Sequence, residues 1–110
     1  MAKQQWKQAR QGDVFIERVP ARSVPPDTKP VKRDGGRFVL AYGEATGHAH
    51  AIHDPEVEVV VAGNGETYVR VKALAHLTHE EHTQVPLPPG TYRVRRQREY
   101  SPEEIRQVAD

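Results

Sequence analysis

Histidines are the residues best suited to chemistry in this sequence. All six histidines of the 110-residue chain fall between positions 48 and 82. They form two groups, His48-x-His50-x-x-His53 and His76-x-x-His79-x-x-His82. Neutral imidazole is a ligand for Zn²⁺, Fe²⁺, Mn²⁺ and Ni²⁺. The density of the cluster therefore predicts a site for a divalent transition metal.

The spacing within each group indicates which histidines could share an ion. Side chains alternate along a strand, so His48 and His50 would share one face while His53 points to the other. A spacing of three residues does not match a strand and suits a turn, a 3₁₀ segment or the mouth of a barrel. Two strand imidazoles and two loop imidazoles would supply the three or four ligands that such an ion requires. We therefore predict a metal site whose ligands are His48, His50, His79 and His82.

Nearby carboxylates could complete this site. Glu44 and Glu81 are the candidates to bind the ion directly or to orient a histidine ligand. The sequence His79-Glu80-Glu81-His82 is not the zinc-protease motif, which has His-Glu-x-x-His on a helix. The structural alternative is that the histidines are solvated strand residues or hydrogen-bonded members of a small core. The sequence leaves open whether the protein is an enzyme.

A second cluster of polar residues is basic. Arg93, Arg95, Arg96 and Arg98 lie in one short segment, although the net charge of the chain is only +1. A strand that carries these side chains could contact nucleic acid or a protein partner. The alternative function is therefore a non-enzymatic, oligomeric binding or assembly module. Nucleic acid is the less favoured partner, because a net charge near zero gives no general attraction to phosphate.

Composition excludes several classes of protein. There is no cysteine, which removes disulfides, thiolate metal sites and cysteine nucleophiles. Residues 1–13 are polar and lack the apolar segment of a signal peptide. The apolar runs are far shorter than the roughly 20 residues of a membrane helix. We therefore expect a cytoplasmic protein with no membrane contact.

Short apolar segments separated by glycine and proline predict a mostly β fold. We expect one domain over residues 1–110, built as a small β-barrel or two-sheet sandwich of about six or seven short strands. Residues 1–11 are predicted to be a polar N-terminal arm, and the proline-rich residues 20–30 a surface loop without regular structure. Ser101, Pro102 and Glu104 have the spacing of a capping box, which predicts a short C-terminal helix over residues 101–109.

The clearest local signal is a hairpin over residues 57–72. Asn64-Gly65 suits a two-residue type I′ turn, which would place Val61 opposite Tyr68. Both faces of that hairpin would then carry valines. An apolar surface on both faces usually requires cover on both, so we predict a homo-oligomer.

Two resemblances extend these predictions. The first resemblance is carried by five segments: Gln11-Gly12-Asp13-Val14, Gly43-Glu44-x-Thr46-Gly47-His48-x-His50, His79-Glu80-Glu81-His82, Leu87-Pro88-Pro89-Gly90-Thr91-Tyr92-Arg93-Val94 and Arg96-Gln97-Arg98-Glu99-Tyr100. With these segments the chain resembles a group of small bacterial β proteins of unknown function. The resemblance covers nearly the whole chain and implies no activity.

At the site alone, Gly47-His48-x-His50 resembles the first metal motif of cupins, β-barrels that bind a metal through two histidines, a glutamate and a later histidine. The resemblance implies that His48 and His50 are the paired ligands and that His79 or His82 is the later one. A glutamate at the cupin position after His50 is missing, because the nearest acids are Asp54 and Glu56.

Overall fold

A computed structural model describes residues 7–42, 48–80 and 82–96. Within these ranges the chain forms ten β-strands and one 3₁₀ turn, Ala21–Ser23. The strands are β1 (Gln8–Gln11), β2 (Val14–Val19), β3 (Thr28–Pro30), β4 (Phe38–Tyr42), β5 (Ala49–Ile52), β6 (Val57–Ala62), β7 (Thr67–Val71), β8 (Ala75–Thr78), β9 (Val85–Leu87) and β10 (Gly90–Arg96). The predicted mostly β fold is confirmed, with more and shorter strands than the six or seven expected.

The strands form two antiparallel sheets. The first has six strands in the order β1-β2-β10-β7-β6-β3, and the second has four in the order β4-β5-β8-β9. Neither sheet closes on itself, so the arrangement is a two-sheet sandwich and not a closed barrel. No helix in the described ranges is long and apolar enough to cross a membrane.

A single core joins the two sheets. The first sheet contributes Ile16, Val69 and Tyr92, and the second contributes Ile52 and Leu77, all fully buried. Side chains alternate along β10, so Tyr92 and Val94 enter the core while Arg93 and Arg95 lie on the opposite face. The core fixes the second sheet, including β5 and β8, against the first.

The predicted hairpin forms, but its predicted turn is wrong. Val60 lies opposite Tyr68 and Val61 opposite Thr67, one residue away from the predicted register. Of the turn residues, only Gly65 has a positive φ, at +91°, whereas a type I′ turn needs positive φ at Asn64 as well. The connection is therefore a three-residue loop, closed by a hydrogen bond from the Ala62 amide to the Glu66 carbonyl (2.8 Å).

This register changes what covers the hairpin. The face with Val59 and Val69 enters the core between the sheets. The opposite face buries Val60, Ala62 and Tyr68 against the partly buried Val19 and Val24 of the same chain. The homo-oligomer was predicted because the second face of the hairpin would need cover, and the chain itself supplies much of that cover.

Three other expectations differ from the structure. The last residues of the predicted N-terminal arm form β1, which pairs with β2. The segment 20–30 is not irregular throughout, because β3 pairs with β6 along the sheet edge. The run Phe38–Tyr42 is apolar throughout, which predicts a strand buried on both faces, yet Tyr42 is exposed. The predicted helix at 101–109 lies outside the described residues.

Candidate metal centre

His50 lies at the centre of the histidine cluster. It belongs to β5, and its side chain is 3% exposed. β5 pairs with β4 on one side and β8 on the other. The backbone of His50 is therefore held within a sheet, and its ring lies at one end of the space between the two sheets.

A buried glutamine from the other sheet holds this ring. Gln11, at the end of β1, is 2% exposed. Its amide nitrogen donates to the carbonyl oxygens of Leu77 (2.8 Å) and Thr83 (3.0 Å). Its amide oxygen lies 2.8 Å from Nδ1 of His50. Gln11 thus links the first sheet to β8, to the segment before β9 and to the His50 ring.

The turn between β1 and β2 brings a carboxylate to the opposite side of the same ring. Oδ1 of Asp13 lies 3.3 Å from Nε2 of His50. The preceding residue, Gly12, adopts a positive φ of +60°, a conformation that costs little only for glycine. A Cβ at Gly12 would lie 2.7 Å from Nε2 of His82. The turn therefore lies so close to the histidines that a side chain at Gly12 would collide with the ring of His82.

The structure brings together all four histidines that the sequence predicted as ligands. The ring centroid of His79 lies 5.7 Å from that of His48, 4.3 Å from that of His50 and 4.6 Å from that of His82. His50 and His82 have ring centroids 5.9 Å apart. Imidazoles around one tetrahedral ion have centroids about 5 Å apart, given metal–nitrogen bonds of about 2.1 Å. The four rings occupy a volume of the right size for one site.

An acidic residue fixes the segment that carries His79. Glu80 accepts a hydrogen bond from the backbone amide of Ala49, at 3.0 Å. This hydrogen bond is the main reason that the pKa of Glu80 is lowered, and His48 and His79 add a smaller contribution. The contact holds the segment after β8 against β5, so His79 stays beside His48 and His50.

Electrostatics favour a neutral ring at His50. Burial lowers the pKa of His50, and repulsion from His79 and His82 lowers it further, against the opposing effect of the Asp13 carboxylate. Only a neutral imidazole has a lone pair to give to a metal. The surroundings of His50 therefore favour the protonation state that ligation requires.

The ligating atoms do not converge as the rings now lie. Among residues 7–42, 48–80 and 82–96, no group of three or more histidine, aspartate or glutamate side chains is arranged around a common metal position. The rings of His50 and His82 are stacked, with an interplanar angle of 13°. Metal binding would require rotation of the exposed His82 and the half-buried His79. The two glutamates predicted to assist, Glu44 and Glu81, lie outside the described residues.

The remaining histidines lie apart from the cluster. His53 is exposed and lies just beyond the end of β5. His76 pairs with Asp54. Oδ2 of Asp54 lies 3.5 Å from Nδ1 of the His76 ring, and Oδ1 accepts a hydrogen bond from the backbone amide of His76. Variants of His53 and His76 can therefore serve as controls for the cluster.

Acidic side chains lie beside the arginines of β10. Arg93 donates to Glu17 from Nη2 at 2.7 Å, and its Nη1 lies 3.9 Å from Glu66. Arg95 lies 3.7 Å from the other oxygen of Glu66. Arg96 ends β10, where its backbone pairs with Val14, and Arg98 lies outside the described residues. The two arginines whose side chains are described thus form a charge-balanced surface.

Sequence reasoning missed the three side chains that organise the cluster. Gln11, Asp13 and Glu80 all contact it or its supporting strand. The segment Gln11-Gly12-Asp13 carries a usable signal, because functional residues are often found on short loops that a rigid scaffold positions. Their distance from the histidines along the chain concealed the contact.

Comparison with known proteins identifies a family but no activity. No curated protein and no solved structure matches the chain. The family described as a domain of unknown function, DUF8820, matches residues 10–97, which include Gln11, Asp13 and all six histidines. The matched segment is most of the chain, and the protein therefore belongs to the DUF8820 family.

Proposed function

We propose that this protein binds one divalent transition-metal ion, Zn²⁺, Fe²⁺, Mn²⁺ or Ni²⁺, through the cluster of His48, His50, His79 and His82. The observation that carries the proposal is that these four rings, which come from two separate parts of the chain, lie side by side in one cluster. Packing alone gives little reason to gather four histidines, because neighbouring imidazoles repel one another once they are protonated. A bound ion would be shared by several ring nitrogens at once.

The position of the cluster allows access to the ion. His82 is exposed, and 38% of the Asp13 side chain is exposed, whereas His50 is enclosed. An ion held between them would lie at the surface with one side towards solvent. If one coordination position holds water, the ion would lower the pKa of that water and supply a nucleophile, or it would bind a small-molecule substrate directly. Metal-dependent activity on a small molecule is therefore part of the proposal, as is the cytoplasmic location expected from the sequence.

The alternative, a binding module that contacts nucleic acid or a protein through the arginine strand, has less support. Arg93 and Arg95 already face Glu17 and Glu66, so phosphate would have to displace carboxylates. Homo-oligomerisation is a separate proposal. It has less support because Val19 and Val24 of the same chain cover the outer face of the hairpin.

Metal analysis of protein purified without an affinity tag tests the proposal. We expect about one ion per chain, and equilibrium dialysis against zinc should show that His50→Ala and His79→Ala each abolish binding. His53→Ala should bind as the wild type does, because this residue lies outside the cluster. No bound metal, or equal losses in all three variants, would contradict the proposal.

A further inference from the structure

The hydrogen bonds of Gln11 determine how its side-chain amide is oriented. One end of the amide lies 2.8 Å from the carbonyl oxygen of Leu77 and 3.0 Å from that of Thr83. Carbonyl oxygens only accept hydrogen bonds, so this end must be the NH₂ group, and its two hydrogens are both used. The amide oxygen is left to face Nδ1 of His50 at 2.8 Å.

This orientation fixes the tautomer of His50. The Gln11 oxygen can only accept, so Nδ1 of His50 must carry the hydrogen of that contact. In the neutral ring the lone pair is then on Nε2. Ring nitrogens of metal-binding histidines that do not bind the ion commonly donate to such an acceptor, which fixes the ring and its tautomer.

Nε2 of His50 lies beside the carboxylate of Asp13. The Nε2–Oδ1 distance is 3.3 Å, and when the His50 ring is neutral with its hydrogen on Nδ1, both Nε2 and the carboxylate oxygen can only accept hydrogen bonds. Two atoms bound to one tetrahedral ion at about 2.1 Å lie about 3.4 Å apart. The observed separation is therefore the one expected of two ligands of a single ion.

We propose that Asp13 is a carboxylate ligand of the metal ion and that Gln11 is a positioning residue that presents Nε2 of His50 to the same ion. This inference rests on the proposed function of the histidine cluster. Several imidazoles with one carboxylate form a donor set for Zn²⁺, Fe²⁺, Mn²⁺ or Ni²⁺, and it lacks the thiolate or thioether sulfur that selects Cu⁺. The site thus combines the β1–β2 turn, β5 and the segment after β8.

Asp13→Asn tests the ligand role, with Asp54→Asn as the matched control. Both changes remove the charge of a carboxylate beside a histidine, but Asp54 pairs with His76 away from the cluster. By zinc competition titration, Asp13→Asn should weaken binding at least about 10- to 100-fold, the loss typical of a supporting contact. Asp54→Asn should bind zinc as the wild type does. Equal affinity of Asp13→Asn and the wild type would overturn the ligand role.

Nitrogen-15 NMR of the metal-free wild-type protein at pH 8 tests the positioning role without relying on any variant. We expect the His50 ring to be neutral with its hydrogen on Nδ1. A neutral ring with its hydrogen on Nε2 would overturn the role of Gln11. A wild-type protein that binds no zinc would instead refute the metal site itself, and with it the ligand role of Asp13. The tautomer of His50 would still show whether Gln11 orients the ring.

Discussion

Nε2 of His82 lies 2.7 Å from the point that a Cβ at Gly12 would occupy. The β1–β2 turn and the segment after β8 therefore meet through a backbone that has no side chain at the contact. Gly12 also has a φ of +60°, which an L-residue adopts only at a cost. The glycine serves both the turn and the histidine cluster.

Gly12→Ala should weaken zinc binding about tenfold or more, because the new methyl group must displace the ring of His82. Gly35→Ala is the matched control, since Gly35 has a φ of +65° and no atom within 4 Å of its added Cβ. Each change should lower the free energy of unfolding by about 1–2 kcal/mol through backbone strain. Urea denaturation and zinc titration separate the two effects, and equal zinc affinities in the two variants would argue against a role for His82.

His50 should titrate below its usual pKa of about 6.5 in the metal-free protein, because burial and neighbouring histidines oppose its charge. A lowered pKa in the folded state means that the unfolded chain binds the proton more readily. The contribution of His50 to stability is then fully present above about pH 6.5 and is lost as the pH falls towards the folded-state pKa. NMR titration of the His50 ring measures this pKa directly. A midpoint at or above 6.5 would show that Asp13 outweighs burial.

Val24→Ala should destabilise the protein by about 1 kcal/mol, because Val24 packs on the hairpin face that buries Tyr68. Leu74→Ala is the control. Leu74 is 55% exposed, so its truncation should change the unfolding free energy by less than about 0.5 kcal/mol. If the two variants have the same denaturation midpoint, the outer face of the hairpin is not covered by this segment.

Arg93→Met should lower the unfolding free energy by about 1 kcal/mol, since it breaks the partly buried pair with Glu17. Arg70→Met removes the more exposed pair with Glu58 and should cost only a few tenths of a kcal/mol. The same Arg93 variant should leave the affinity for single-stranded nucleic acid unchanged. Reduced affinity with unchanged stability would favour the nucleic-acid alternative.

Local sequence patterns predicted the strands of the fold more accurately than the loops and registers that connect them. Alternation of apolar and charged residues predicted the strand around Tyr92, because burial on one face imposes a period of two. The hairpin was predicted, but its register was off by one, because Asn64-Gly65 fits both a two-residue turn and the end of a three-residue loop. Which of the two loops forms depends on which valines pack in the core, and this packing depends on both sheets of the sandwich.

The candidate site was predictable where spacing carried the signal. The period of a strand separated His50 from His53, and the structure places only the former in the cluster. Gln11 and Asp13 could not be found in this way, because their contacts with His50 arise when the two sheets pack. No short-range pattern encodes a meeting between strands of different sheets.

Zinc-edge X-ray absorption of the one-to-one zinc complex tests the central claim most directly. We expect a first shell of nitrogen and oxygen at about 2.0–2.1 Å together with the outer-shell signal of at least two imidazoles. His53→Ala should leave this spectrum unchanged, whereas His50→Ala should retain no zinc that could give such a spectrum. A shell of oxygen atoms without imidazole, or a protein that retains no zinc, would contradict the account of the four histidines as one metal site.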